Sequence, residues 1–273
     1  MTGKLGVLAG GGSLPRLIIE ACKQSGRDLF VVAFKDQADI NFGADVPHAW
    51  VRLGAAAQTL KLLKDASVEE LIFAGRIVRP TITALRPDAR ALEFFTKMGP
   101  KVFGDDGLLR ALAATLEAEG FMVSSPTAIL LDLQVGVGSL GFVYPNKITK
   151  LDITRGIDVL NALSPVDVGQ AVVVQEGLVL GVEAVEGTDA LIKRSDLLKR
   201  DGPGPVLVKI QKQGQDTRID LPTIGLTTVK LARDAGFCGI AIEANATLVL
   251  EREQLITTAN EAGLFVIAVT VKN

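Results

Sequence analysis

The sequence predicts an α/β protein with two domains, an N-terminal Rossmann-like domain with a parallel sheet and a C-terminal mixed α/β domain. Short apolar runs typical of buried strands alternate with segments of helical spacing along the whole chain. The chain has 273 residues, 48% of them hydrophobic, which is enough for two cores. Between Thr127 and Lys147 this periodicity is lost and glycines accumulate. We therefore predict domains at 1–132 and 149–273, joined by a linker at 133–148.

Composition narrows the classes of function. The formal net charge is -2 and no basic block occurs, which argues against a nucleic-acid partner. His48 is the only histidine, which argues against a histidine triad and favours oxygen ligands for any metal, hence Mg²⁺ or Mn²⁺. Cys22 and Cys238 lie in apolar patterns without metal-ligand spacing, and we expect reduced core thiols. No apolar run reaches membrane-spanning length, so we expect a cytoplasmic protein.

The N-terminal elements begin with a strand, a glycine loop and a helix. Leu5–Ala9 is the strand and Arg16–Lys23 has helical spacing. The loop between them contains Gly10, Gly11, Gly12 and Ser13. Free N–H groups at a helix N-terminus suit an anion, although the third glycine of the dinucleotide fingerprint is missing. A tight turn without a ligand is the alternative.

The next strands end in charged residues. Phe30–Phe34 is followed by Asp36, a position that in some nicotinamide enzymes binds a ribose. After a strand near Trp50 and a helix, Leu71–Ala74 ends at Gly75 and Arg76. Ligands of open α/β sheets bind at such carboxyl ends, so Arg76 is a candidate binding residue, with an exposed surface charge as the alternative.

Helices are predicted at Ala89–Lys97 and Leu108–Glu119. Asp105 and Asp106 stand just before the second of these. One of the two can cap the helix, which leaves the other free for a ligand.

The second half again alternates strands and helices. A helix at Ile153–Leu163 precedes a strand pair that turns at Glu176-Gly177. Three carboxylates, those of Glu183, Glu186 and Asp189, then surround Thr188. The remaining predicted helices are Ala190–Lys199, Thr228–Ala235 and Gln254–Ala262, and the remaining strands are Val206–Ile210, Cys238–Glu243, Thr247–Leu250 and Leu264–Val271.

The stretch 206–225 has the densest charges among apolar residues. Lys209 and Lys212 follow an apolar β-branched run. Asp216, Arg218 and Asp220 alternate after it, and an extended chain would place them on one face. Carboxylates with nearby cations would suit a divalent metal and a phosphate. A solvated hairpin in which Arg218 pairs with its neighbours is the alternative.

Several motifs together resemble the LpxI family of UDP-2,3-diacylglucosamine pyrophosphatases of lipid A synthesis. They are LAGGGS at 8–13, GRIVRP at 75–80, GDDGLL at 104–109, DVGQAVV at 167–173, VEAVEGTDA at 182–190 and GQDTRIDLPTIG at 214–225. The resemblance covers nearly the whole chain, and the last two motifs are the most specific.

The resemblance implies a magnesium-dependent hydrolase, with manganese as the alternative ion. The substrate would be UDP-2,3-diacylglucosamine, and the products UMP and 2,3-diacylglucosamine 1-phosphate. Asp220, in the DLP motif, would be the essential carboxylate. The implied metal ligands are Asp220, Asp189, Glu186, Asp105 and Asp106. The implied substrate-binding residues are Gly10, Gly11, Gly12, Ser13, Gly75, Arg76, Asp167, Gln170, Thr188, Lys209 and Lys212.

A lipid substrate further implies peripheral contact with the inner membrane, and a homodimer stays open. Two alternatives from other classes remain at this point. One is a nicotinamide-dependent oxidoreductase, suggested by the first two strands and Asp36. The other is a non-catalytic nucleotide-binding or lipid-binding protein, which would need a pocket and no catalytic carboxylates.

Overall fold

The structure is a computed structural model that describes residues 3–39, 42, 45–78, 80–98 and 105–271. The chain divides into two compact units, and both are α/β, as predicted. The first unit comprises Met1–Leu131 together with Asp216–Asp220. The second comprises Asp132–Gln215 and Leu221–Asn273. Arg79, Gly104 and the side chains of Asp105 and Asp106 lie outside the described residues.

The sheet of the first unit is parallel throughout and has the order β3-β2-β1-β4-β5. Its strands are β1 (Leu5–Ala9), β2 (Leu29–Phe34), β3 (His48–Val51), β4 (Glu70–Ala74) and β5 (Met122–Ser124). Every residue of β1 is buried, because a central parallel strand has both faces covered. The strand order reverses direction between β1 and β4, so their carboxyl ends form the switch point of this sheet.

Helices of the first unit are α1 (Leu14–Ser25), α2 (Ala56–Asp65), α3 (Ile82–Leu85), α4 (Ala89–Met98) and α5 (Asp105–Ala118). α1 carries Pro15 in its first turn, where the ring is tolerated, and ends at Gly26 in the left-handed conformation. Leu63 of α2 and Leu116 of α5 pack with Leu8 and Leu71 of the sheet in one buried cluster. These contacts fix where the carboxyl ends of the strands stand.

The sheet of the second unit is mixed and has the order β6-β13-β11-β9-β7-β8. Its strands are β6 (Gly138–Ser139), β7 (Ala171–Gln175), β8 (Leu178–Val182), β9 (Val206–Lys209), β11 (Gly239–Glu243) and β13 (Phe265–Val269). A separate parallel pair joins β10 (Thr223–Ile224) to β12 (Leu248–Val249). Glu176 and Gly177 both have positive φ, which is the turn geometry of a tight β7–β8 hairpin.

Helices cover both faces of the second sheet. They are α6 (Lys147–Leu163), α7 (Thr188–Asp196), α8 (Leu226–Asp234) and α9 (Arg252–Glu261). α7, α8 and α9 contribute to one core and α6 to the other. A Cβ at Gly156 would stand 2.6 Å from Val208 Cγ2, so glycine is what lets α6 approach β9 closely. Across the described residues, no helix has the length and apolarity needed to span a bilayer.

The stretch predicted to be a linker, 133–148, contains ordered parts of the second unit. Val135 is buried in its core, and β6 pairs antiparallel with β13. Asn146 caps α6 by accepting a hydrogen bond from Thr149 N at 3.0 Å. The strand at Met122–Ser124 was not predicted, because three residues are too few to show a period.

Candidate functional site

In the first unit, the glycine loop meets the end of β4 through backbone atoms. Gly11 and Arg76 exchange two hydrogen bonds of 2.9 Å each, and Gly10 N donates to Ala74 O at 2.8 Å. A Cβ at Gly10 would stand 2.4 Å from Arg76 O, which no other residue type could accommodate without movement. The predicted residues Gly10, Gly11, Gly75 and Arg76 therefore lie together at the switch point.

The same edge has binding capacity that the fold leaves unused. The Ser13 side chain makes no capping hydrogen bond at the N-terminus of α1. Gly12 has a φ of +92° with open space around its Cβ position, although its N–H is already used by a hydrogen bond to Asp39 Oδ1 at 3.2 Å. Arg76 is exposed and has no ion-pairing partner in the part of the chain that is described. A cation beside a helix N-terminus is a suitable arrangement for a phosphate.

In the second unit, a buried lysine is held through a hydroxyl by a buried carboxylate. Lys209 Nζ, at the carboxyl end of β9, donates to Thr188 Oγ1 at 2.8 Å. Thr188 Oγ1 in turn donates to Glu183 Oε1 at 2.6 Å. Glu183 Oε2 accepts from Gln170 N at 2.9 Å, so both of its oxygens are used. Lys209 and Glu183 are each only 6% exposed. We call this chain of contacts the Glu183–Thr188–Lys209 relay.

The relay leaves donors and an acceptor unused. An ammonium group has three N–H donors, and Thr188 is the one acceptor that Lys209 has among the described residues. Gln170 Oε1 is buried and likewise lacks a hydrogen-bond partner there. Buried polar groups are normally satisfied, so these atoms indicate a place where a ligand binds.

Two further polar contacts complete this edge. Lys212 Nζ pairs with Asp167, a residue in the left-handed conformation just before β7. Gln211 N donates to Glu243 Oε2 at 2.8 Å. Burial raises the pKa of Glu243, and the hydrogen bond from Gln211 acts in the opposite direction. The strand register places Gln170, Glu183, Lys209 and Glu243 at one end of the sheet, because β7 pairs with β8 and β9, and β9 with β11.

The expectation that Asp216–Asp220 is extended is wrong. Ile219 N and Asp220 N both donate to Asp216 O at 3.1 Å, which closes a turn. Arg218 Nε and Nη2 donate to the two carboxylate oxygens of Asp216 at 3.0 and 2.8 Å, and Nη1 donates to Glu117 Oε1 at 2.5 Å. Its guanidinium lowers the pKa of Asp216. Arg218 is thus used structurally, which was the alternative interpretation.

The predicted metal ligands have different surroundings. Glu186 binds Arg194, whose Nε and Nη2 donate to Oε1 at 3.0 and 2.8 Å, so this carboxylate already has a charged partner. Asp189 lies in the first turn of α7 and has no partner among the described residues. Asp220 is half-buried beside Ile219. Within the described ranges, no three His, Cys, Asp or Glu side chains are grouped so that they could hold a metal ion.

Sequence reasoning missed the roles of Glu183 and Glu243. Both stand where an apolar strand ends, which is the same signal that selected Arg76. Their partners come from other strands, so the strand order was needed to identify them. Glu183 was noted only as one of three neighbouring carboxylates, and the structure assigns it to the relay.

Comparisons with known proteins agree with this two-unit organisation. Residues 4–133 match the LpxI N-terminal domain, and residues 136–267 match the LpxI C-terminal domain. A UDP-2,3-diacylglucosamine pyrophosphatase LpxI from Caulobacter vibrioides is 38% identical over 273 residues, covering 97% of each chain.

A solved N5-carboxyaminoimidazole synthase from Aspergillus clavatus aligns over 72% of this chain and 44% of that chain. Its 14% identity and TM-score of 0.27 are too low to support a structural argument. The two domain matches, by contrast, span nearly the whole sequence. The chain therefore belongs to the LpxI family.

Proposed function

We propose that this protein hydrolyses the pyrophosphate bond of UDP-2,3-diacylglucosamine in lipid A biosynthesis, giving UMP and 2,3-diacylglucosamine 1-phosphate. The observation that carries the proposal is the 38% identity, over 97% of both chains, to a pyrophosphatase named for this substrate. Both domains of the family are matched in this chain, at residues 4–133 and 136–267.

The reaction adds water across a phosphoanhydride. The oxygen of water forms a bond to one phosphorus, the bridging P–O bond breaks, and the second phosphate leaves with the electron pair. The attacking water loses one proton to a base, and the products carry the added negative charge. Attack on a group surrounded by anionic oxygens requires cations held in place beforehand.

The relay is suited to hold such a cation. The Glu183 carboxylate is held by the Gln170 N–H and accepts the Thr188 hydroxyl proton. The Thr188 oxygen is thereby oriented so that it accepts a hydrogen bond from Lys209. The ammonium is therefore positioned before substrate arrives. Its two N–H groups without an acceptor among the described residues can donate hydrogen bonds to phosphate oxygens, and Gln170 Oε1 can accept one from a hydroxyl or N–H of the substrate.

Magnesium dependence is part of the proposal. Mg²⁺ commonly takes one or two carboxylates, keeps several waters and binds substrate phosphates, so a large protein cage is unnecessary. The carboxylate of Asp189, which has no partner among the described residues, fits this requirement, whereas Glu186 is already paired with Arg194. Asp220 is proposed on its place in the DLP motif. When bound, the ion would neutralise charge on the pyrophosphate oxygens. Asp220 would then either bind the ion or accept the proton of the attacking water.

We assign the uridine nucleotide to the edge formed by the glycine loop and Arg76. The strand order of the first sheet, with its reversal between β1 and β4, supports the Rossmann-like classification. The Ser13 hydroxyl, which makes no capping hydrogen bond, and the Arg76 guanidinium, which has no ion-pairing partner among the described residues, supply contacts for an anion. We also propose that the protein reaches its lipid at the cytoplasmic face of the inner membrane by peripheral contact.

The test is incubation of the purified protein with UDP-2,3-diacylglucosamine in detergent micelles, with UMP release as the readout. We expect turnover that EDTA abolishes and that Mg²⁺ or Mn²⁺ restores. Substrate binding without UMP release would indicate a non-catalytic binding protein. Turnover that is unaffected by EDTA would remove the metal from the proposal and leave the hydrolysis.

A further inference from the structure

An unusual set of apolar side chains is exposed on the second unit between residues 142 and 151. Phe142 is 86% exposed, Tyr144 69%, Ile148 45% and Leu151 63%. Single exposed apolar residues are normal on a protein surface, but four within ten positions, two of them aromatic, form a patch that calls for an explanation.

The local structure forces these side chains outward. Val143 packs against the core that contains α6, and Pro145 is buried, so the alternating neighbours Phe142 and Tyr144 face the solvent. The backbone is held in place, because Phe142 N donates to Asn260 Oδ1 at 2.8 Å. The second unit therefore holds the backbone of this segment in a defined position with the two aromatic side chains exposed.

The first turns of α6 continue the surface. Thr149, Asp152 and Ile153 form the buried side of the helix. Ile148 and Leu151 lie three residues apart and so share the opposite side. This solvent-facing side adjoins the segment that carries the two aromatic residues, because Asn146 begins the helix only two positions after Tyr144.

Cations accompany the apolar side chains. Lys147, Lys150 and Arg155 are exposed on the same helix, and within the described residues none has a hydrogen-bonding or ion-pairing partner for its side chain. Asp158 is the nearest exposed acid on that helix, since the carboxylate of Asp152 is buried and accepts from Glu176 N and Gly177 N. Three unpaired cations thus border an exposed aromatic and aliphatic surface.

We propose that residues 142–155 form a docking surface that binds the protein to an anionic phospholipid bilayer. Aromatic and aliphatic side chains of a surface helix enter the headgroup boundary, while lysine and arginine bind the lipid phosphates. The inference rests on the proposed function, because an enzyme that acts on a two-chain lipid must reach that lipid. It adds the surface that makes the contact.

A second copy of this chain fits the surface less well. In a two-fold symmetric contact the same patch meets itself, so the three unpaired cations of each copy would face like charges. An anionic membrane offers the opposite charge across the whole patch. Charge complementarity therefore favours the lipid surface.

The experiment is sedimentation of the full chain with vesicles of phosphatidylcholine alone or mixed with equal phosphatidylglycerol. We expect binding to the anionic vesicles and much weaker binding to the neutral ones. The charge variant Lys147→Glu/Lys150→Glu should bind anionic vesicles at least about 25-fold more weakly, at about fivefold per lysine. The apolar variant Phe142→Ser/Tyr144→Ser should lose about tenfold or more.

Matched controls come from the same unit. Lys193→Glu/Lys230→Glu makes the same change in net charge at two exposed lysines whose side chains also have no partner in the part of the chain that is described. Leu197→Ser/Leu198→Ser removes exposed apolar side chains elsewhere. Both controls should bind vesicles almost like the wild type.

Activity separates this inference from the proposed function. The charge variant and the apolar variant of the docking surface should both release UMP at the wild-type rate in detergent micelles and lose this activity when the substrate is presented in vesicles. A wild type that binds anionic vesicles but has no activity in micelles would remove the proposed function and leave the docking surface. Failure of the wild type to bind anionic vesicles would overturn the inference. So would a dimer in solution that the Phe142→Ser/Tyr144→Ser variant converts to monomer, since the patch would then be covered by a second copy.

Discussion

In the first unit the glycine loop and the end of β4 are joined by backbone hydrogen bonds, whereas in the second unit the corresponding edge is assembled from side chains. Gly11 and Arg76 pair through their main chains, and the binding groups left over are a hydroxyl and one guanidinium. The second edge instead connects Glu183, Thr188 and Lys209 through side-chain hydrogen bonds.

This difference has consequences for mutation. An edge held by backbone hydrogen bonds between glycines has no room for larger side chains, so most substitutions there distort the loop itself and affect ligand binding only through that distortion. A side-chain edge can be altered one hydrogen bond at a time. The second unit should therefore give the graded losses of activity that reveal which group does what.

The largest expected effect tests an exception to this contrast. Asp220 clusters with the first unit, yet it would contribute a side chain to the chemistry. Asp220→Ala should lower turnover about a thousandfold, equivalent to about 4 kcal/mol of transition-state stabilisation, and keep the fold because no apolar cavity forms. UMP release is measured beside a melting curve, with Asp234→Ala at an exposed helix end as the matched control. Near-normal turnover would remove Asp220 from the site, and a collapsed melting curve would make its role structural.

Lys209→Met should reduce kcat/KM for the diacyl substrate about a hundredfold, because it removes a preorganised cation while keeping the buried aliphatic stem. The control is Lys193→Met, an exposed lysine on α7. Thermal stability should fall as well, since the buried Glu183 carboxylate loses the positive charge that it faces through Thr188. If Lys209→Met lost stability and kept its activity, the relay would be a structural ion network, and the contrast between the two edges would not concern function.

Glu183→Gln sharpens the contrast by changing one donor–acceptor pair. In the wild type, the Thr188 hydroxyl and the Gln170 N–H both donate to the carboxylate of Glu183. A glutamine amide has only one oxygen, so its NH2 group would face one of these two donors. A buried unsatisfied group costs about 1–3 kcal/mol, which corresponds to about 5–150-fold in rate. We expect kcat to fall while KM for substrate rises little, since Lys209 keeps its charge but loses its fixed position. A loss of stability with unchanged kcat would assign Glu183 a purely structural role.

How far the sequence predicted these regions depends on the range of the interactions involved. Periodicity located the central strands, and the rule about strand ends selected Arg76. The prediction of an extended chain at Asp216–Asp220 is wrong because the alternation of charged residues there is also the pattern of a strand. Hydrogen bonds from Arg218 N and Nε to Asp216 Oδ1 stabilise a turn instead. The relay joins residues from three separate elements, so no local pattern contains it.

In the first unit, Arg76→Gln should weaken UMP binding about fivefold to tenfold, as expected for one exposed charge-assisted contact to a phosphate. Lys61→Gln on α2 is the control, and isothermal titration calorimetry gives the affinity. Melting should be unchanged, because the Arg76 side chain has no partner in the described structure to lose. Equal UMP affinity for the two variants would mean that the nucleotide binds elsewhere.

The smallest effect concerns Glu243, whose burial raises its pKa. The folded protein then binds this proton more tightly than the unfolded chain, so stability is greatest below the unfolded-state pKa and falls as pH rises to the folded-state value. Glu243→Gln keeps an acceptor for Gln211 N and should remove this fall. Denaturant unfolding from pH 4 to pH 8 should show the variant gaining stability relative to the wild type as pH increases. A constant difference across that range would contradict the assignment.

The return of Asp216–Asp220 to the first unit has a consequence for biosynthesis. Ile219 is 8% exposed and belongs to the same buried cluster as Leu8, Leu71 and Leu116. The first unit therefore lacks a piece of its own interior until residue 219 of 273 has left the ribosome. A nascent chain that stops at the boundary between the two family domains would wait, incompletely packed, for a segment made much later. The last residue of this late segment, Asp220, reaches its place only when that packing is finished, so assembly of the proposed catalytic group would be coupled to completion of the fold.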